Sequence, residues 1–191
     1  MNRKKAILSL LVIGTGATAT YSGFSWFKIG KRPDFNFVDQ HQDLIDELAE
    51  RIIPKSDTPG AKDVMAGKVI ITLLKNSSDR KTQNNFIDGL KDVEKFAFNS
   101  FGKNFIYLPI LHQNFILQHF YEKGRSFTGK IGKVKNKILG KTFFNILKQY
   151  TTIAFCTSQE GATKALAFDF IPGEYIGCMD ISENQRSWAT K

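Results

Sequence analysis

Cysteine is almost missing from this 191-residue chain, with Cys156 and Cys178 the only two. Neither CxxC nor CxxCH occurs, which excludes a paired-thiol metal or redox motif and covalent haem attachment. Histidine is nearly as scarce, at His41, His112 and His119, and no HExxH is present. His112 and His119 are seven residues apart, or about 10 Å along a helix axis. Without further ligands that is too far to share a metal ion, so they read as rim or core histidines. Cys156 and Ser158 are the remaining nucleophiles, but neither sits in a G-x-S-x-G elbow and no histidine follows them. Gly140-Lys141-Thr142 imitates the end of a phosphate-binding loop, yet the position that needs the first glycine is Lys135. These absences leave no catalytic or metal-binding constellation.

Hydrophobic residues make up 42% of the chain, enough for a core in one domain. Seventeen phenylalanines against two tryptophans point to a core filled largely by Phe. The net charge is +9, and Arg3, Lys4 and Lys5 supply three of those charges at the very start. Nucleic acid, anionic lipid and acidic protein are all compatible with this balance. The stretch from Lys123 to Lys141 holds seven basic residues and no acidic one. With Phe127 its single aromatic, it has little for bases to stack on, which argues against nucleic acid.

The first 27 residues form an export signal or a membrane anchor. A basic start precedes 22 uncharged residues, and Ala17-Thr18-Ala19 has the small-x-small form of a cleavage site. The folded part is therefore expected outside the cytoplasm, periplasmic or membrane-associated. Gly14, Gly16 and Ala19, with Asp34 beyond, imitate a dinucleotide fingerprint. No good helix follows them, so the match fails.

Residues 28–38 read as a linker broken by Gly30 and Pro33. Asp39 is placed to cap a helix through Ile53, and a second helix is expected from Lys62 to Lys75. Ser77, Ser78 and Asp79 form a turn and cap. Phe86, Leu90, Val93, Ala97 and Phe101 then give the clearest helical periodicity, stopped by Gly102. Pro109 opens a helix to about Tyr121, and Leu139 to about Thr157 forms another. Pro172 and Gly173 mark an irregular tail with at most a small hairpin. The expected fold is mostly α: a single helical domain of about five helices over residues 39–191, with an irregular C-terminal wrap.

The most informative segment spans residues 51–63. Pro54 ends the apolar pattern before it. Asp57-Thr58-Pro59-Gly60 then reads as a type II turn, with Pro59 fixing φ and Gly60 supplying positive φ.

The sequence resembles the gluconate 2-dehydrogenase subunit 3 family. Four features carry the likeness: the basic start; residues 51–61 around Pro54, Pro59 and Gly60; Phe155-Cys156-Thr157-Ser158 with Gly161; and residues 171–177 with Pro172, Gly173 and Tyr175. The resemblance implies a non-catalytic small subunit that carries no cofactor itself. Its implied partner is a large FAD-dependent sugar or gluconate-type dehydrogenase, often with a cytochrome, which it helps to export, mature and stabilise. The implied site residues are structural or interfacial: Pro54, Asp57, Thr58, Pro59, Gly60, Thr157, Ser158, Pro172, Gly173 and Tyr175. The family's aromatic pair before Thr-Ser is here Phe155-Cys156, which a packing change or a disulfide to Cys178 would accommodate. The alternative function is a stand-alone, membrane-tethered binding protein that uses the basic 123–141 segment.

Overall fold

The computed structural model describes residues 31–125, 140–171, 173, 178, 180 and 183–189. Its helices are α1 (Phe35–Gln40), α2 (Gln42–Ile52), α3 (Ala66–Ser77), α4 (Arg80–Phe101), α5 (Ile110–Arg125) and α6 (Phe143–Cys156). A 3-10 turn at Phe105–Tyr107 joins α4 to α5, and a π-turn at Gly161–Ala165 follows α6. The mostly helical expectation holds. The export or anchor segment and most of the basic stretch lie outside the described residues. Among the described residues no helix is long and apolar enough to cross a membrane.

Helix ends follow local chemistry. Asp79 caps α4 by accepting the Thr82 N–H at 3.0 Å, and Gly102 ends it in the left-handed conformation at φ 68°. At the first helices the expectation needs correcting. Asp34, not Asp39, provides the first cap, accepting the Phe37 N–H at 3.1 Å. The stretch read as linker thus already carries α1. A break at His41, whose ring stacks on Phe37 at 4.0 Å, separates it from α2.

Helix α6 sits at the centre and packs against α2, α3, α4 and α5. Its crossing with α4 is closest at Gly89, where an added Cβ would overlap Phe143. The core is mainly aliphatic: Leu44, Ile45, Leu48, Ile70, Leu74, Leu90, Ile116 and Leu147 are fully or almost fully buried. The Phe-filled core is therefore corrected. Of the fourteen described phenylalanines, five are buried (Phe86, Phe105, Phe120, Phe143, Phe155) and four are exposed (Phe98, Phe115, Phe168, Phe170). Branched aliphatic side chains interdigitate where helices cross, which displaces the larger rings to the margins.

In the tail, a parallel bridge pairs Ala167 with Trp188 among the described residues, and much of the stretch expected to hold a small hairpin lies outside them. Ala167 donates to the Ser187 carbonyl at 2.9 Å and accepts from Ala189 at 2.8 Å.

Candidate partner interface

The segment at residues 51–63 is organised around a buried carboxylate on the helix before it. Glu50, 8% exposed, accepts the Lys55 N–H through Oε1 and the Lys62 N–H through Oε2, both at 2.9 Å. The Ala61 N–H donates to the Ile53 carbonyl at 2.9 Å, so the loop closes directly onto the end of α2. Asp63 then accepts the Gly60 N–H at 3.0 Å and the Lys55 ammonium at 3.1 Å. The Gly60 N–H, then Lys55, hold the Asp63 carboxyl below the usual range, and Lys164 of the π-turn adds to this.

Gly60 does not take up the positive φ of a type II turn, since among the described glycines only Gly102 and Gly140 do. Its role is close approach: a Cβ there would stand 2.5 Å from Glu50 Oε1 and 2.7 Å from the Lys55 nitrogen. Pro54 and Asp57 are exposed, while Thr58 and Pro59 are half-buried. The helix expected from Lys62 begins later, at Ala66, because residues 61–65 finish the turn. Met65, with φ 52°, occupies the left-handed region at its start. The Gly67 N–H donates to Asp46 Oδ1 at 3.0 Å. Burial raises the Asp46 carboxyl.

The second motif is also a self-contained cap. Thr157 Oγ1 donates to the Ile153 carbonyl at 2.7 Å. Ser158 Oγ donates to the Phe155 carbonyl at 2.7 Å and accepts the Gly161 N–H at 3.0 Å. With its hydrogen occupied in this way, Ser158 is a capping residue. Cys156 and Cys178 are exposed, free thiols with no bond between them in this structure. Gly173 is exposed, with room for a Cβ among the described residues, and Pro172 and Tyr175 lie outside the described residues.

The sequence reading missed a different surface, at the corner where α4 meets α5. Phe98 (60% exposed), Tyr107 (74%), Ile110 (59%), Leu111 (77%) and Phe115 (57%) all face solvent there. Ile106 lines one shallow cleft with Met65 and a second with Phe98, both otherwise lined by polar and charged side chains. Behind it runs a ladder of stacked rings: Phe101 on His112 at 4.3 Å and Phe96 on His119 at 4.6 Å. The histidines thus serve as packing partners for phenylalanine. Beneath the corner, burial raises the Glu94 carboxyl, and the Phe105 N–H that it accepts opposes the rise. One signal for this face was present in the sequence. Helix α5 carries apolar residues at 110, 111, 115, 116, 117 and 120, more than one buried stripe requires.

Among the described residues no group of three His, Cys, Asp or Glu side chains is placed to hold a metal ion. No curated protein and no solved structure matches the chain. The family model for gluconate 2-dehydrogenase subunit 3 matches residues 39–173, more than half of the chain and inclusive of both capped motifs. The chain belongs to the gluconate 2-dehydrogenase subunit 3 family, a family of dehydrogenase-complex subunits.

Proposed function

We propose that this chain is the non-catalytic small subunit of an extracytoplasmic, FAD-dependent sugar or gluconate-type dehydrogenase. In this reading it supports the export, maturation and stability of the large flavoprotein subunit, which binds the FAD, and a cytochrome accepts the electrons. The observation that supports it best is the uncovered apolar face at the α4–α5 corner. Phe98, Tyr107 and Phe115, at about 200 Å² per aromatic side chain, leave on the order of 400 Å² of ring surface in water. Met65, Ile106, Ile110 and Leu111 extend this beyond what a monomer usually exposes and towards the ~800 Å² per side of a standard protein interface. In a family of dehydrogenase subunits, the fitting occupant is the catalytic chain.

Affinity capture of the tagged full chain from the cell envelope tests this. The expected result is co-elution of a large protein with flavin absorbance. Capture of no flavin-containing partner overturns the proposal. If the chain instead sediments with anionic vesicles, and salt abolishes this, the membrane-tethered alternative replaces it.

A further inference from the structure

A cleft of about 470 Å³ opens between α2, α5 and α6. Arg51 and Lys148 bring two cations to it, Asn114 brings a carboxamide, Gln118 brings another whose N–H donates to Glu122 at 2.8 Å, and Tyr121 and Phe144 give an aromatic wall. No lining residue is acidic. The Arg51 side chain is only 13% exposed, and its Nε is buried without a hydrogen-bond partner. Glu47 Oε1 lies 3.7 Å from that nitrogen, beyond hydrogen-bond reach, and the other Glu47 oxygen is taken by the Lys62 ammonium. Of the guanidinium's N–H donors, the one on Nε is therefore buried with no hydrogen-bond acceptor among the described residues. A mostly buried cation left in this state is costly, so native structures normally supply it with an acceptor. Outside the described residues the sequence holds one acidic side chain, Glu174.

We propose that this cleft binds a carboxylate brought from outside the chain, gripped by the Arg51 guanidinium with Lys148 as the second cation. The planar fork of a guanidinium matches the two oxygens of a carboxylate, and the aromatic wall shields the pair from water. Asn114 and Gln118 fall three and seven residues after Leu111, so the cleft borders the apolar face on α5. An acidic side chain of a docked protein and a small free carboxylate therefore both have access. The proposal goes beyond the subunit reading and does not depend on it, because the site exists on the isolated chain.

The test is an NMR titration of the full chain labelled with ¹⁵N-arginine, following the Arg51 Nε–H resonance, which is assigned with Arg51→Lys. Sodium acetate should shift this resonance saturably in the millimolar range, while sodium chloride at equal ionic strength should not. Lys148→Gln should weaken the acetate response at least threefold. A linear response to acetate, or an equal one to chloride, overturns the proposal. Repeating the titration with the captured flavoprotein complex identifies the source. An Arg51 resonance already shifted and insensitive to acetate assigns the carboxylate to the partner protein, and one that still titrates assigns it to a free small molecule. Failure to capture a flavoprotein would sink the subunit reading and leave the acetate result intact.

Discussion

The turn at residues 51–63 and the corner at residues 98–115 solve opposite problems. In the turn, polar backbone groups are drawn inward and nearly all are answered within the chain, by Glu50, Asp63 and the Ile53 carbonyl. At the corner, apolar side chains point outward and no described residue covers them. A segment whose valences are satisfied locally is a structural device. One whose apolar area is left in water is waiting for a second surface. The contrast moves the expected interface away from the proline turn, the most family-like stretch of sequence, to a corner that carried none of the quoted motifs.

The sharpest way to break this contrast is to charge the corner. Tyr107→Asp with Leu111→Asp should reduce affinity for the proposed flavoprotein partner by about 4 kcal/mol, roughly a thousandfold, as paired hot-spot losses do. Unfolding of the isolated chain should change by no more than about 0.5 kcal/mol. Calorimetric binding alongside denaturant melts would check both. An unchanged affinity would remove the corner from the interface.

Next in size is Glu50→Ala, which strips the acceptor from two backbone donors. Urea melts should show a loss of about 3 kcal/mol, since each buried donor left unpaired costs about 1–3 kcal/mol. Gly60→Ala should cost about 2 kcal/mol by forcing the Glu50 carboxylate off Lys55. A neutral result at either position would mean that the turn is not closed as described.

Asp79→Ala should cost about 1 kcal/mol through the lost cap of α4. The Asp79 carboxyl titrates below its usual value, chiefly because of its hydrogen bond with Thr82. Its contribution is therefore present above the unfolded pKa of about 3.9 and disappears as pH falls through the lower folded value. Acid melts of wild type and variant should converge accordingly. Smallest of all, Asp57→Ala should change stability by less than about 0.5 kcal/mol, because this exposed side chain anchors nothing in the turn. A larger loss would show that Asp57 helps to hold the turn.

Much of the helical plan was legible in the residues. Asp79 and Gly102 mark the ends of α4 because capping is local: a side chain three residues away or a single left-handed backbone decides it. Asp39 misled because Asp34 offers the same chemistry five residues earlier, and only packing chooses between two adequate caps. Gly60 was identified as necessary for the wrong reason. Turn rules consider its φ, whereas the constraint comes from a carboxylate ten residues away in sequence.

The sequence by itself determined a mostly helical chain, because periodicity and caps act over a few residues, and its match to the family model over residues 39–173 places it among dehydrogenase-complex subunits. Only the tertiary structure decided which apolar residues the core would take. Seventeen phenylalanines say nothing about which of them a neighbouring helix will cover. Placing α6 at the centre buries Phe86 and Phe143 against each other and leaves Phe98 and Phe115 outside, because a central helix has room for one layer of large rings. The same packing buries the Arg51 Nε without a hydrogen-bond acceptor, a condition that a side chain's identity does not reveal until its neighbours are known.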